Sequence, residues 1–376
     1  MRGTRRGFMA GATALASGLG ATALAQTRPS GAVPMINTLG GLSDPNDTRS
    51  SGPTWRPARP TRRMIDDALA SGVSGINMTL GYVFGDADPY AETVSQLDEW
   101  DATIAQTPEL LKVLSAADIE RARAEGKLGL IYGFQNASMM GDDLDRVDAF
   151  QARGVRVVQL TYNDANQVGS GALAPNDTGL TPFGRSLVER LNDKRVIIDL
   201  SHSGQATCLD AARTSKTPIS ITHTGCRALV DLPRNKSDEE LRLVASRGGF
   251  VGIYFMPFLA LGRQATADDV VAHIEHAVQV CGEDHVGVGT DGGFTPVDDI
   301  AAYRALLAKV IEGRRAAGIS APGESPDIFP FVLEMQGPDQ FRELGRRLAQ
   351  RGHTQTRIDK ILGGNFLRYS AGVWGG

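Results

Sequence analysis

The chain has 376 residues, of which 41% are hydrophobic and 22% are charged, and its formal net charge at pH 7 is −4. These values are typical of a globular protein with ample length for a large core. Since no Lys/Arg-rich run stands out, the composition argues against nucleic acid as a partner.

The first 25 residues have the pattern of an export signal. Thr4–Met9 reads TRRGFM, a twin-arginine element, and the small apolar run Ala10–Ala23 follows it. Ala23-Leu24-Ala25 offers a cleavage site before Gln26. The apolar run is shorter than the ~20 residues that a membrane span needs. We therefore expect a cleaved twin-arginine signal peptide at residues 1–25, a mature protein without a membrane span, and a periplasmic or other extracytoplasmic location.

Residues 26–376 predict a single domain in which strands and helices alternate. Eight short apolar or β-branched runs predict strands at 33–39, 75–80, 128–135, 156–163, 195–202, 218–223, 250–256 and 285–291. Helical patterns lie at 63–71, 91–106, 115–125, 142–152, 183–192, 205–213, 238–246 and 267–281. Some of these begin with a capping pattern, such as Ser237 with Glu240. Residues 300–376 predict a C-terminal helical extension.

Eight β/α units predict an α/β fold of the (β/α)8 TIM-type barrel class. The alternative is a doubly wound open sheet. That sheet would need two edge strands, whereas nearly all the predicted strands have the composition of strands that are buried on both faces. The barrel is therefore the favoured fold.

Two consecutive strands each end in a histidine. Val196–Leu200 leads into His202, and Pro218–Thr222 leads into His223. Neighbouring parallel strands bring these side chains together at the carboxyl edge, where such folds build their sites. Neutral imidazoles suit a zinc-type ion. The alternative is a pair of histidines that are satisfied within strand-to-helix turns.

The ends of the other strands contribute further polar residues to the same face. The side chains of interest are Gln135, Tyr162, Asn163 and Asp291, with Arg234 from the loop after the sixth strand. A guanidinium such as that of Arg234 pairs bidentately with a planar carboxylate, including a peptide C-terminus.

Several motifs together resemble the renal (membrane) dipeptidase family, peptidase family M19. They are DLSHSG around His202, ITHTGCRAL around His223, PRNKSD around Arg234, VGVGTD ending in Asp291, and GGNFLR at 363–368. The resemblance spans about residues 34–370 and implies a metallo-dependent-hydrolase-like barrel with two zinc ions that hydrolyses dipeptides and often forms a homodimer. It makes His202 and His223 ligands of one metal, Arg234 a substrate-binding residue and Asp291 the catalytic acid/base.

The sequence departs from the family at the other ligands. The family's His-x-Asp pair on the first strand appears as Leu39 and Gly41, and its bridging glutamate appears as Gln135. Leucine and glycine side chains cannot ligate zinc, and a neutral amide cannot bridge two cations as a carboxylate does. We therefore expect a degenerate centre with one zinc ion or none.

The remaining ligands and pocket residues leave alternatives open. One zinc ion can be held by His202 and His223 with either Gln135 or Asp291. The family's substrate-binding histidine on the fourth strand appears as Tyr162, which with Asn163 is expected to contact substrate.

Two aspartates of the first long loop, Asp44 and Asp47, offer replacement carboxylates for a metal. Their SDPND setting is typical of a solvated Asx turn, which is the favoured interpretation.

Two functions follow. The first is an exported dipeptidase-like metallohydrolase that acts on dipeptides or similar small carboxylate-bearing amides, in which Asp291 activates water and Arg234 binds the carboxylate. The second is a non-hydrolytic descendant that binds or remodels a peptide-like metabolite.

Overall fold

The computed structural model describes residues 33–47, 59–316, 318 and 320–375, so the predicted signal peptide lies outside the described residues. Nine parallel strands form one sheet: β1 (Met35–Gly40), β2 (Val73–Thr79), β3 (Leu110–Lys112), β4 (Leu128–Phe134), β5 (Val155–Gln159), β6 (Ile197–Asp199), β7 (Ser220–Thr224), β8 (Phe250–Ile253) and β9 (Val286–Val288). Their order is β1-β2-β4-β5-β6-β7-β8-β9, and β3 lies off this path, paired with the first three residues of β4. The eight predicted strands are all present.

The last strand returns to the first and nearly closes the sheet into a barrel. Beyond β9, the amide of Asp291 donates to the carbonyl of Leu39 at 3.0 Å, and the amide of Gly41 donates to the carbonyl of Gly292 at 3.2 Å. Gly40 and Gly292 form an isolated parallel bridge. The predicted (β/α)8 barrel is therefore confirmed, and the open sheet is not observed.

Helices separate the strands and cover the outside of the barrel. They are α1 (Arg62–Ser71), α2 (Pro89–Gln106), α3 (Ala116–Ala124), α4 (Asp145–Ala152), α5 (Pro182–Asp193), α6 (Gln205–Thr214), α7 (Asp238–Ser246), α8 (Ala267–Cys281), α9 (Ile300–Ala316), α10 (Gln340–Gln350), α11 (Gln355–Asp359) and α12 (Asn365–Trp374). The predicted capping box of α7 is present, since the Ser237 amide donates to Glu240 Oε2 at 2.8 Å and the Glu240 amide donates to Ser237 Oγ at 3.3 Å. None of the helices in the described ranges is long and apolar enough to cross a membrane.

The amino end of the barrel is closed by α12. Phe366 and Trp374 of this helix pack in one buried cluster with Ile36, Ile197 and Phe250, which lie near the starts of their strands. The carboxyl end is consequently the end at which the barrel can offer a cavity.

Four strands end three or four residues earlier than predicted. The expected strands 156–163, 195–202, 250–256 and 285–291 stop at Gln159, Asp199, Ile253 and Val288. After Asp199 the chain turns, because the Asp199 carboxylate accepts hydrogen bonds from the amide and hydroxyl of Ser201 at 3.2 and 2.6 Å. Tyr162, Asn163 and His202 therefore lie on loops just beyond the strands, whereas His223 lies within β7.

Candidate active site

A cavity of about 520 Å³ opens at the carboxyl end of the barrel. Six of the seven predicted site residues line it, namely Gln135, Tyr162, Asn163, His202, Arg234 and Asp291. The seventh, His223, is fully buried, with its ring centroid 5.0 Å from that of His202. The fold thus brings together residues that are up to 156 positions apart in the sequence, from 135 to 291.

His202 is held by Tyr162 and Asn163, two residues of the loop that follows β5. Its ring stacks on Tyr162 with centroids 4.2 Å apart, and Tyr162 stacks in turn on Phe84 at 5.8 Å. His202 Nδ1 lies 2.8 Å from the amide oxygen of Asn163. Because that oxygen can only accept, Nδ1 carries the hydrogen and Nε2 keeps its lone pair.

His223 is oriented through a chain of hydrogen bonds. The hydroxyl of Thr222 donates to Asp199 Oδ2 at 2.7 Å, and Thr222 Oγ1 lies 3.0 Å from His223 Nδ1. Since the Thr222 hydrogen is used on Asp199, its oxygen accepts from Nδ1. The lone pair of His223 therefore lies on Nε2, as in His202.

The two Nε2 atoms are the unusual feature of the site. Both are buried, and neither has a hydrogen-bond partner among the described residues. Burial, followed by the nearby charge of Arg234, lowers the pKa of both imidazoles well below the usual value. Neutral histidines whose other nitrogen donates to an oriented partner are the form that binds a divalent cation. The pair therefore fits a metal ion better than it fits two satisfied structural histidines.

Other metal ligands are scarce around this pair. Within the described ranges, no group of three or more histidine, cysteine, aspartate and glutamate side chains is placed to hold a metal ion. Asp291 accordingly does not complete a three-ligand cluster with His202 and His223. Gln135 donates through Nε2 to Thr79 Oγ1 at 2.5 Å, which leaves its amide oxygen as the atom available for a ligand.

The loop aspartates do not replace the lost ligands. Asp44 Oδ1 accepts from the amide and the side-chain nitrogen of Asn46 at 2.9 and 2.7 Å, which is an Asx turn. Asp44 and Asp47 line the cavity, but neither belongs to a metal-binding group in the part of the chain that is described. The turn interpretation is therefore supported.

Asp291 has a strained backbone at the rim of the barrel. Its φ of 57° lies in the left-handed region, which a non-glycine residue adopts at a cost, and such strain often accompanies functional sites. The residue lines the cavity and is partly exposed there. Burial raises its pKa to about 6, against the opposing effects of Arg234 and Arg314. A carboxyl group that titrates near 6 can serve as a general base at neutral pH.

Arg234 is 2% exposed and lines the same cavity. Its Nη1 donates to the carbonyl of Ser201 at 2.5 Å, but no carboxylate within the described ranges forms an ion pair with it. Burying a guanidinium without an acidic partner is costly, and a ligand carboxylate would supply the missing charge.

The sequence did not reveal a second charged feature of the cavity. Arg314 of α9 donates from Nε and Nη2 to Glu324 at 3.1 and 2.9 Å, and both residues line the wall. This bidentate pair depends on how the segment after α9 folds back. No spacing pattern in the sequence marks it.

Comparisons with known proteins agree with this architecture. The model of the family described as membrane dipeptidase (peptidase family M19) matches residues 82–321. An uncharacterized protein in the pqqA 5′ region of Klebsiella pneumoniae is 34% identical over 299 residues, which cover 76% of this chain and 98% of that protein. An amidohydrolase from Pseudomonas aeruginosa superposes with a TM-score of 0.76 at 31% identity, covering 92% of this chain and 98% of that one.

A metallo peptidase from Rhodobacter sphaeroides, liganded with a phosphinate mimic of the dipeptide L-Ala-D-Ala, shares the fold. It superposes with a TM-score of 0.70 at 18% identity and covers 91% of this chain and 99% of that one. The family match, the 34% identical relative and the barrel lead to one conclusion: the chain belongs to the membrane dipeptidase family, peptidase family M19, and is a dipeptidase-like metallohydrolase.

Proposed function

We propose that this protein is an exported hydrolase of dipeptides or similar small carboxylate-bearing amides, and that it works with a single zinc ion. The observation that carries the proposal is the pair of buried, unpartnered Nε2 atoms of His202 and His223 beside a buried Arg234 that lacks an acidic partner. The pair of imidazole nitrogens fits a metal cation, and the guanidinium of Arg234 fits a substrate carboxylate.

His202 and His223 would hold the ion, with the amide oxygen of Gln135 as a further donor. When bound, the ion polarises the scissile carbonyl and lowers the pKa of a water molecule. The positions of the family's first metal carry Leu39 and Gly41, whose side chains offer no donor atoms. One ion per chain is therefore the full complement.

The other side chains bind substrate and move protons. Arg234 binds the substrate's carboxylate, which orients the amide over the histidines. Asp291, ionised above its raised pKa, accepts the proton of the attacking water and returns it to the leaving amine. Tyr162 and Asn163 fix the ring plane and tautomer of His202.

The alternative is a non-hydrolytic binder or remodeller of a peptide-like metabolite. It is favoured by one observation, the lack of a third histidine, cysteine or acidic ligand beside the pair in the described ranges. A protein that is purified without zinc and releases no amino acid from any dipeptide would support this alternative.

Zinc content is the first prediction. The wild-type protein should carry roughly one zinc ion per chain, and the double substitution His202→Ala and His223→Ala should remove it, because two neutral imidazoles are the principal ligands. Elemental analysis of purified protein measures this. His276→Ala is the matched control, because His276 lies on α8 and pairs with Asp238. Two ions in the wild type, or zinc retained by the double variant, would contradict the proposal.

A second prediction restores the lost metal position. Leu39→His, Gly41→Asp and Gln135→Glu together should raise the zinc content by about one ion per chain, since they supply an imidazole and two carboxylates. Gly41 has room, because a Cβ built there has no heavy atom within 4 Å. The variant that keeps Gln135 lacks the bridging carboxylate and should gain less. Unchanged zinc in a folded triple variant counts against the assigned positions.

The third prediction concerns pH. As a base, Asp291 must be ionised, so kcat/KM for a dipeptide should be full above its pKa and fall as the pH drops through about 6. Asp291→Asn should lower kcat/KM by roughly 100-fold or more and abolish this acid limb. Rates measured between about pH 5 and pH 8 test both points. A wild-type profile that stays flat below 6, or an active Asp291→Asn variant, would rule out the role.

The fourth prediction concerns export. Full-length protein expressed in a Gram-negative host should be recovered from the periplasm with Gln26 as its first residue. Replacing Arg5 and Arg6 by lysine should retain the uncleaved chain in the cytoplasm, because the route reads the arginine pair. Arg2→Lys is the control and should leave export intact. Periplasmic recovery of the double variant would argue against the twin-arginine route.

A further inference from the structure

The cavity has two chemically different halves. Its floor carries His202, Arg234 and Asp291. Its upper part, which we term the apolar roof, is formed by partly exposed apolar or aromatic side chains, namely Phe84, Met256, Tyr303, Leu306, Val310 and Phe331. The proposed chemistry uses the floor and leaves the roof without a role.

Half of the roof residues belong to helix α9. Leu307 and Ile311 anchor this helix, since they are buried in one cluster with Phe329. Tyr303, Leu306 and Val310 follow one another at spacings of three and four residues, so they share one face of the helix, and all three line the cavity. Leu307 and Ile311 also line the cavity, so one apolar side of the helix faces it, with Tyr303, Leu306 and Val310 as the partly exposed residues of that side.

A second element braces this surface over the floor. Tyr303 packs on Phe331, with ring centroids 5.4 Å apart, and the bidentate pair between Arg314 and Glu324 ties the end of α9 to the following segment. These contacts hold Tyr303 and Phe331 and the end of α9 in place before a ligand binds, so a ligand can bury the exposed apolar side chains at little ordering cost.

We propose that the substrate is amphiphilic: its carboxylate binds Arg234, and the residue at its opposite, amino-terminal side is bulky and apolar and packs under the roof. This inference rests on the proposed function and names its substrate class. The cavity of about 520 Å³ has the size of sites that enclose ligands of several rings or chains, about 300–1,000 Å³. A substrate made of two glycine residues would leave the roof exposed to water. A substrate whose first residue is leucine or phenylalanine would bury both its own apolar side chain and the roof.

A dipeptide series tests the inference. Gly-Ala, Ala-Ala, Leu-Ala and Phe-Ala share the carboxyl-terminal alanine and differ only in the size of the first side chain. Calorimetric Kd values, measured with chelator present so that no hydrolysis intervenes, should fall by roughly fourfold for each buried methylene. Phe-Ala should then bind at least about 30-fold more tightly than Gly-Ala. Equal Kd values across the series, or tighter binding of Gly-Ala, would overturn the inference.

A pair of matched variants assigns the effect to the roof. Val310→Asn places an amide on the cavity face and should weaken Phe-Ala binding by about fivefold or more while leaving Gly-Ala binding unchanged. Ala308→Asn, at an exposed position of the same helix, should change neither. Both variants have the same new side chain, and circular dichroism checks that each remains folded. Equal weakening of both dipeptides by Val310→Asn would contradict a contact with the first residue.

The outcomes separate this inference from the proposed function. Size-graded binding without turnover in zinc-loaded protein would remove the hydrolase proposal and leave the roof assignment in place. Turnover with no dependence of kcat/KM or Kd on the first side chain would remove the roof assignment and leave the hydrolase in place.

Discussion

The active-site face depends on one buried carboxylate. Asp199 is 1% exposed and accepts four hydrogen bonds, from the amides and hydroxyls of Ser201 and Thr222 at 2.6 to 3.2 Å. β6 and β7 share a single ladder pairing, Asp199 with Ser220, so this side chain supplies much of the connection between them. Burial raises the pKa of Asp199, and the four donors offset part of that cost. The same contacts end β6 before His202 and orient Thr222 against His223.

As a result, the side chains of the site are held firmly by hydrogen bonds, while some of their buried polar atoms lack a partner within the described ranges. The Nδ1 atoms of His202 and His223 are hydrogen-bonded to Asn163 and to Thr222, which is itself held by Asp199. The two Nε2 atoms have no partner among the described residues. Arg234 is also held on one side only: it donates to the backbone carbonyl of Ser201, and no described carboxylate pairs with it. Unsatisfied buried groups destabilise a fold by about 1 to 3 kcal/mol each. A ligand that satisfies them recovers that free energy on binding, which is the physical basis of preorganisation.

Sequence reasoning was strongest where the fold follows from local patterns. The eight barrel strands and their helices could be predicted from apolar runs and caps, and equivalent strand ends brought His202 and His223 to one face. It failed where contacts depend on tertiary structure. β3 is three residues long, too short for a periodicity to show. The Asx turn at Asp199 shortened β6. The contact of Tyr162 with substrate stays a prediction, whereas its stacking on His202 was not foreseen, because it arises only when two loops converge. The ion pair between Arg314 and Glu324 likewise forms only when the segment after α9 folds back on that helix.

The charge lost with the family's missing ligands equals the charge of one divalent metal ion. The resemblance places a His-x-Asp pair and a bridging glutamate around the first metal, where this chain has Leu39, Gly41 and Gln135. Losing the aspartate and the glutamate removes two negative charges, and losing one divalent ion removes two positive charges. The floor therefore keeps its charge balance if one ion is absent, and would be left with two uncompensated positive charges if both remained. Leu39, now 2% exposed, fills its position with apolar volume instead of a ligand. This balance agrees with the single-ion centre proposed above, in which the imidazole pair, Arg234 and Asp291 surround the one ion.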